Sequence, residues 1–312
     1  YDASGNCLGL LVEEARTNVL TRSNEFLTAP WNGDAEIVAS SIPSIAGGQC
    51  FKLSSNGGAA DYWIQSGVAS NGQRKSIWAR TVSGTGTAHI LGHNSVSATL
   101  VTLTEEWQRF SLNVGAGEAG GTHVYAVDFR GSGTLSEILV FGAQVETGSF
   151  PTSYIPTSGS TVTRAPDVAT LAVSEFGYNQ DQGTVVVSAS SFANLSGSDN
   201  GYVAVLSDGT SNNRMQVLLR NSSQGFITGG LGALDAGSVA QSQTTKLAMA
   251  VKTNDAGLSL NGGAVATATS GNIPSPITDL RLGGRTALDS ATLCGHIKSI
   301  QYYPLRLSNA QL

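Results

Sequence analysis

Short segments in which apolar and polar residues alternate dominate the pattern along this chain. KSIWARTV (75–82) and THVYAVDF (122–129), for example, place apolar side chains at about every second position. That period is typical of a strand with one buried and one solvated face. Gly, Asn and Ser separate these segments, and helical spacing is nearly absent. In the first half the pattern predicts strands at 49–54, 62–68, 75–82, 97–103, 107–114, 122–129 and 138–146.

The second half repeats this pattern and adds two local signals. Asn261-Gly262 lies between two alternating arms, and Asn-Gly is the preferred pair for a tight primed hairpin turn. The last residues, LSNAQL, predict the start of a helix with Ser308 as its N-cap. Neither half shows a repeat of fixed period. The strands predicted here are 183–191, 201–208, 214–221, 245–253, 257–269 and 296–304.

A proline-rich segment separates the two sets of strands. GAQVETGSFPTSYIPTSGSTVTRAPD (142–167) starts as a strand and continues as Ser, Thr, Gly and Pro. Pro151, Pro156 and Pro166 exclude a continuous helix or a central strand. We therefore expect a strap that ends one domain, with a boundary at about residue 165. The predicted organisation is a leading segment (1–20), a first β-sandwich (21–165) and a second β-sandwich (166–312).

Length and composition agree with two all-β domains. The chain has 312 residues, more than a usual single domain. It contains 38 Gly, and only 12% of its residues are charged, which is typical of strands joined by many turns. The 40% of hydrophobic residues is enough to build packed cores. The predicted fold class is all-β, with two β-sandwich (jelly-roll) domains in tandem.

Charge and apolar run length argue against nucleic-acid and membrane partners, and cysteine usage bears on the compartment. The net charge is −5 and no cluster of Lys and Arg exceeds the short QRK (73–75), so we expect no binding to nucleic acid. No apolar run approaches the length of a membrane span, so we expect no membrane insertion. Cys7, Cys50 and Cys294 form no disulfide framework and favour folding in a reducing cytoplasm, although one pair stays open. We expect no signal peptide at its start, and the first residue, Tyr1 instead of Met, favours a fragment or a mature portion.

Signatures of catalysis and of metal binding are missing from the sequence. It contains no G-x-S-x-G, H-E-x-x-H or G-x-x-x-x-G-K-[ST] motif. Acid pairs such as Glu105/Glu106 are adjacent, so in a strand they point to opposite faces and fit glycoside hydrolysis poorly. His89 and His93 have no evident third ligand, which favours a solvated loop over zinc. We predict no catalytic and no metal-binding residues, while acid pairs across strands stay open.

Aromatic residues near acids are the main candidates for function. Sugars bind to flat aromatic faces flanked by groups that hydrogen-bond their hydroxyls. Asp61, Tyr62 and Trp63 follow a Gly-rich loop, and one of the two aromatic residues should face outward; core packing is the alternative. Tyr125 and Asp128 are weaker candidates on another strand. We expect the other tryptophans to pack internally: Trp31, Trp78 and Trp107.

One loop of the second half concentrates polar residues. SDGTSNNR (207–214) contains Asp208, Asn212, Asn213 and Arg214, which we treat as candidate carbohydrate-binding residues. An ordinary hairpin loop is the simpler interpretation, because Asp, Gly and Asn are turn residues. No cofactor is predicted. A calcium ion held by this loop, with Asp199 added, is an open alternative, although EF-hand spacing is missing.

Several motifs of the chain resemble bacteriophage tail-fibre and head-spike proteins. GLLVEEARTNVL (9–20), SNEF (23–26) and APWN (29–32) resemble the segment that opens these proteins. EEWQRFSL (105–112) and FGAQVETGSFPTSYIPTSGSTVTRAPD (141–167) resemble the end of the carbohydrate-binding-module-like jelly roll that follows. GHIKSIQYYPLRLSNAQL (295–312) resembles the closing part of concanavalin-like or laminin-G-like sandwiches.

The resemblance implies a non-catalytic virion protein that binds host-surface polysaccharide. It implies a homotrimeric fibre or spike on the virion surface, made in the host cytoplasm. We expect a missing N-terminal part to attach it to other virion proteins. Two alternatives stay open at this point. One is a surface-polysaccharide-degrading enzyme, and the other is a purely structural virion decoration.

Overall fold

The chain forms two all-β units. The computed structural model describes residues 5–93, 100–114, 123–193, 201–220, 222–227, 230–285 and 292–312. Within these ranges the regular structure is β-strand, apart from one 3-10 turn at Val173–Glu175. The first unit comprises residues 16–164, and the second comprises residues 1–15 and 165–312. The predicted fold class, all-β with β-sandwich domains, is confirmed.

The strands of the first unit are short and antiparallel. Strand β1 (Leu10–Val12) precedes them and belongs to the second unit. The first unit then contains β2 (Arg16–Asn18), β3 (Trp31–Asn32), β4 (Glu36–Ala39), β5 (Phe51–Ser54), β6 (Tyr62–Gln65), β7 (Gln73–Arg80), β8 (Gly86–His89), β9 (Leu100–Leu103), β10 (Gln108–Asn113), β11 (Val124–Asp128), β12 (Glu137–Thr147) and β13 (Val162–Arg164).

The strands of the second unit follow the proline-rich segment. They are β14 (Ala169–Ala172), β15 (Gln182–Ser191), β16 (Gly201–Ser207), β17 (Arg214–Leu219), β18 (Ser222–Ile227), β19 (Gly232–Ser238), β20 (Thr245–Lys252), β21 (Asp255–Leu260), β22 (Ala266–Ala268), β23 (Asp279–Leu282) and β24 (Gly295–Tyr303). No helix in the described part of the chain has the length and apolarity that crossing a bilayer requires.

Two five-stranded sheets build the first unit. Their strand orders are β10-β7-β12-β5-β4 and β3-β6-β11-β8-β9, and β2 pairs separately with β13. Ile77 and Ala79 of one sheet share a buried apolar core with Val124 and Val127 of the other. Because neighbouring residues of a strand point to opposite faces, Trp78 and Tyr125, which follow Ile77 and Val124, lie on the outer faces of the sheets.

The proline-rich segment is a strap on the first unit. Residues 152–157 lie against the outer side of β12 and are held by two buried polar side chains. The Gln144 side-chain oxygen accepts a hydrogen bond from the Ile155 amide at 2.7 Å. The Glu146 carboxylate accepts from the amide (2.8 Å) and the hydroxyl (2.6 Å) of Thr152. The border between the two units falls after this strap, between residues 164 and 165.

Two six-stranded sheets build the second unit. Their orders are β1-β24-β15-β20-β21-β22 and β14-β23-β16-β17-β18-β19, and apolar residues from both sheets form one core. Leu10 of β1 pairs with Ile297 of β24. The leading segment expected at 1–20 is therefore divided, since residues 10–12 join this sheet while residues 16–18 pair with β13 in the first unit.

The predicted orientation of two tryptophans was wrong. Ile77 and Ala79 take the core side of β7, so Trp78 lies on the outer face, where it packs with Phe141. Trp107 belongs to the same outer cluster, and its indole N–H donates to the Pro43 carbonyl at 3.2 Å. The sequence does not show which face of β7 points to the core, because apolar residues occupy both faces. The expectation for Trp31 is confirmed, since its side chain is buried in the core.

Of the two local signals in the second half, the hairpin turn formed as predicted, whereas the predicted helix is only one turn long. Asn261 and Gly262 both have positive φ angles (51° and 72°), and the Gly263 amide donates to the Leu260 carbonyl at 2.9 Å. The primed turn is thus confirmed. The helix expected after Ser308 is a single turn, closed by the Ser308 hydroxyl on the Gln311 side-chain oxygen at 2.8 Å. All three cysteines are free thiols.

Candidate functional site

A β-bulge gathers aromatic and charged residues on one outer face of the first unit. In the pairing of β11 with β6, Tyr125 faces Ile64 and Asp128 faces Tyr62, with Ala126 as the extra residue between the two registers. Residues three apart in a regular strand point to opposite faces. The extra residue of the bulge shifts the alternation by one position, so residues on its two sides that are three apart share a face. Tyr125 and Asp128 therefore both face outward beside Tyr62. We call this set the outer-face cluster, which comprises Tyr62, His89, His93, His123, Tyr125, Asp128 and Arg130.

Arg130 and Asp128 form a forked ion pair within the outer-face cluster. The two oxygens of the buried Asp128 carboxylate accept from Arg130 Nε at 2.9 Å and from Nη2 at 2.8 Å. The Arg130 amide also donates to this carboxylate at 3.1 Å. These hydrogen bonds raise the pKa of Arg130. A charge-assisted pair with two parallel bonds fixes the plane of the guanidinium group.

The fixed guanidinium group lies on an aromatic ring. Arg130 Cζ is 4.2 Å from the centroid of the Tyr62 ring, within the range of a cation–π contact. The Tyr62 ring meets the Tyr125 ring edge-on, with 5.8 Å between centroids and 72° between planes. The contacts within the cluster thus run in order from Asp128 to Arg130, from Arg130 to Tyr62 and from Tyr62 to Tyr125.

Two histidines extend the aromatic part of the outer-face cluster. The centroid of the His93 ring is 5.7 Å from that of Tyr125, and the His123 ring is at 6.3 Å. Tyr125 itself is only 8% exposed, and this burial raises the pKa of its hydroxyl. The phenol therefore stays protonated at neutral pH, so it can both donate and accept a hydrogen bond.

A buried histidine adds a polar atom that is not satisfied within the cluster. His89 pairs with Asp128 across β8 and β11 and is 5% exposed. Its Nε2 lies 3.5 Å from the Ser132 hydroxyl, while its Nδ1 has no hydrogen-bond partner among the described residues. A serine–histidine–acid triad requires the acid at the second ring nitrogen. The arrangement does not meet this requirement, because Nδ1 is not bonded to Asp128.

Two of the predicted residues of the first unit lie elsewhere. Trp63 points into the core, and its indole N–H donates to the Phe26 carbonyl at 2.9 Å. Asp61 is buried under its own loop, where its carboxylate accepts from the amides of Asn56 and Gly57, both at 3.1 Å. The structure brings the other three predicted residues of this unit together in the outer-face cluster.

The polar loop of the second unit is a self-contained turn. The Asp208 carboxylate accepts from the Thr210 amide and from the Asn213 side chain, both at 2.9 Å. Hydrogen bonds from Thr210 and Asn213 lower the pKa of Asp208. The Arg214 guanidinium donates to the carbonyl of Ser211 in the same loop. This geometry is that of an ordinary hydrogen-bonded turn.

Asn212 and the calcium alternative complete the description of this loop. Asn212 is exposed, and its amide donates to the Thr210 hydroxyl at 3.2 Å. Asp199 lies outside the described residues. Within the described ranges, no group of three or more His, Cys, Asp or Glu side chains is arranged to hold a metal ion.

Sequence reasoning missed the residue that organises the site. Arg130 follows Asp128 by two positions, and only the turn after β11 reveals that its side chain folds back over Tyr62. His89 and His93 were weighed only as metal ligands. The spacing of His123 and Tyr125, two residues apart on one strand edge, was a usable signal that both lie on one face.

The similarity of this chain to known proteins is limited. No protein-family model matches it, and a search of curated proteins finds no similar sequence. Among solved structures it is similar to the CBM40 module of the Ruminococcus gnavus IT-sialidase bound to α2,3-sialyllactose, with 19% identity and a TM-score of 0.36. That match covers 43% of this chain and 81% of the module.

Two further matches extend over most of the chain. Domains LG4-5 of the mouse laminin α1 chain have 10% identity and a TM-score of 0.31, covering 96% of this chain and 92% of theirs. Trypanosoma rangeli sialidase in complex with sialic acid has 10% identity and a TM-score of 0.35, covering 90% of this chain and 52% of its own.

Proposed function

We propose that the outer-face cluster binds a saccharide and that the chain is a non-catalytic glycan-binding protein. The observation that carries this proposal is the ordered contact of Asp128, Arg130, Tyr62 and Tyr125 on the sheet face opposite the core, where Tyr62 and Arg130 are partly exposed. Monosaccharide rings have apolar C–H faces and polar hydroxyl edges. Aromatic rings beside a few fixed polar groups therefore match them.

Each residue of the cluster has a distinct part in this proposal. The rings of Tyr62 and Tyr125 supply apolar contact. Arg130 keeps donors that Asp128 does not use, because a guanidinium group has five N–H bonds. Since the cluster is ordered before binding, little side-chain entropy is lost when a ligand docks.

The proposal of a non-catalytic function rests on the state of the acid in this cluster. Hydrolysis of a glycosidic bond uses two carboxyl groups, about 5 to 10 Å apart, of which one must donate a proton. Asp128 is the carboxylate of the cluster, and both of its oxygens accept from Arg130. Both oxygens are therefore engaged by Arg130, which leaves Asp128 poorly placed to protonate a leaving group.

We further propose that the chain is part of a virion fibre or spike that binds host-surface polysaccharide. The support is the resemblance of residues 9–32, 105–112, 141–167 and 295–312 to bacteriophage fibre and spike proteins. A shallow sugar site binds weakly, and a homotrimer with three such sites would gain strongly from multivalency. In this proposal the protein is displayed on the virion surface.

Binding to envelope polysaccharides of candidate hosts tests the function. The purified chain is compared with Tyr62→Ala, and with Tyr303→Ala as a control at an exposed tyrosine of the second unit. We expect saturable binding that Tyr62→Ala loses and Tyr303→Ala keeps, with no oligosaccharide released. Release of oligosaccharide would make the protein an enzyme. Binding that is equal in both variants would exclude the outer-face cluster as the site.

A further inference from the structure

Two partly exposed tryptophans lie on the outer face of the other sheet of the first unit. Trp78 of β7 pairs with Phe141 of β12 and packs in the same apolar cluster. Trp107 belongs to this cluster too and directly precedes β10, the neighbour of β7. Beneath the two partly exposed rings, the floor of the cluster is buried. It consists of Cys50, Leu139 and Phe141.

Arg80 lies between the two tryptophans. It follows Trp78 by two positions on β7, so both side chains point to the same face from positions about 7 Å apart. Gln108 pairs with Ala79 in the antiparallel register of β10 and β7, which brings Trp107 next to Arg80. We call the set of Trp78, Arg80 and Trp107 the tryptophan–arginine site.

The Arg80 guanidinium group keeps donors that the described part of the chain does not use. Among the described residues its only hydrogen bond runs from Nε to the Thr81 carbonyl at 3.0 Å, and it forms no ion pair. Its two Nη atoms are without a partner there and are not closed off from solvent. The carboxylate of Glu105 accepts from the Gly84 amide at 2.6 Å instead. Arg80 can therefore offer both charge and donors to a ligand.

The indole N–H of Trp78 is a further unused donor. It has no hydrogen-bond partner among the described residues and also reaches solvent. The indole N–H of Trp107, in contrast, donates to the Pro43 carbonyl. A second cation borders the site, because Arg109 Cζ is 6.0 Å from the centroid of the Trp78 ring. Open donors beside positive charge match a ligand group that accepts hydrogen bonds and is anionic.

We propose that the tryptophan–arginine site is a second ligand site, which binds the carboxylate of an acidic saccharide. Arg80 and the Trp78 indole donate to the carboxylate, which a planar guanidinium group fits through two parallel N–H bonds. The rings of Trp78 and Trp107 contact the C–H face of the sugar. The outer-face cluster lies on the other sheet and differs in charge, because Asp128 neutralises Arg130 there.

Binding of defined polymers to the full chain tests this site. Polygalacturonate supplies carboxylates on a sugar, neutral dextran supplies sugar without charge, and polyglutamate supplies carboxylates without sugar. We expect polygalacturonate to bind and the other two polymers not to bind. Arg80→Gln should weaken binding about tenfold, the loss of one charge-assisted contact. Lys298→Gln, at an exposed lysine of the second unit, is the control of equal charge and should leave binding unchanged.

A second variant removes the other donor. Trp78→Phe lacks the indole N–H but keeps an aromatic ring against Phe141, so it should bind polygalacturonate more weakly while its melting temperature stays close to that of the parent chain. If Trp78→Phe melts early, Arg80→Gln at a partly exposed side chain decides alone.

Four results would overturn the proposal. They are no binding of polygalacturonate, equal binding of polyglutamate, an equal loss in Arg80→Gln and Lys298→Gln, and normal binding by a Trp78→Phe variant that melts normally. Tyr62→Ala should leave the binding of polygalacturonate intact. Failure of the tryptophan–arginine site is thus distinguishable from failure of the outer-face cluster.

Discussion

The guanidinium carbon of Arg130 lies 4.2 Å from the centroid of the Tyr62 ring, on the outer face of a sheet. Asp128 holds Arg130 in this position through two side-chain hydrogen bonds. A cation and an aromatic ring are thus fixed together, and both residues are partly exposed. This contact depends on the guanidinium group of Arg130 and on the β-bulge that turns Asp128 outward.

Replacing Arg130 by Lys should weaken both saccharide binding and the fold. A lysine keeps the charge but cannot form the fork with Asp128 or stack flat on Tyr62. We expect affinity to fall about tenfold. The free energy of unfolding should fall by about 1 to 3 kcal/mol, because the buried carboxylate loses partners. Calorimetric titration and urea unfolding measure the two effects, and unchanged values in both would contradict the assigned role of the fork.

Deleting Ala126 should destroy the outer-face cluster. Without the extra residue, either Tyr125 or Asp128 must turn toward the core. A buried carboxylate without its partner is strongly destabilising, by about 3 to 5 kcal/mol. Thermal unfolding followed by circular dichroism measures this loss. Ala126→Gly keeps the residue count and is the matched control, which should melt much closer to the parent chain.

Replacing Glu146 by Ala should loosen the strap. The amide and hydroxyl of Thr152 would lose their buried acceptor. Leaving such donors unpaired costs about 1 to 3 kcal/mol for each group. Limited proteolysis should then cut near residues 149–158 sooner than in the parent chain. In Glu146→Gln one side-chain oxygen still accepts, so this variant should be cut at an intermediate rate, and equal rates for all three proteins would argue against this role of Glu146.

Stability should fall as the pH drops below the ordinary range of histidine titration. Burial lowers the pKa of His296 below its ordinary value of 6.5. The unfolded chain therefore binds the proton more readily, and the contribution of His296 to stability is present above about pH 6.5 and lost below it. His296→Phe keeps an edge-on aromatic contact with Phe192 and should reduce this pH dependence. Urea unfolding at several pH values compares the two chains, and identical profiles would contradict the assignment.

The strands could be predicted from the sequence because their signal is local. Alternation identified β7, β12 and β15 as strands, although apolar residues also occupy the outer faces of β7 and β12. It gave no signal for β1, whose three residues pair with a strand almost at the other end of the chain. Such a short edge strand is defined by its partner, and its own residues carry too little pattern to identify it.

The outer-face cluster could be predicted only in part. Tyr62, Tyr125 and Asp128 were identified as aromatic or acidic residues on strands. The bulge at Ala126 leaves no mark in the composition of β11, so the common face of two residues three apart could not be deduced. Arg130 was missed because its position depends on a turn. Trp78 was assigned to the core from its position in an alternating strand, whereas it packs in a second apolar cluster on the outer face.

Mapping a bound sugar onto the backbone tests the central claim most directly. Amide chemical shifts of the isotope-labelled chain are followed by NMR while an oligosaccharide from a binding envelope polysaccharide is added. We predict that the saturating shifts concentrate on residues 62–64, 89–93 and 123–130, and that they vanish in Tyr62→Ala. Shifts that leave these residues unchanged and concentrate on other parts of the chain would contradict the proposed site.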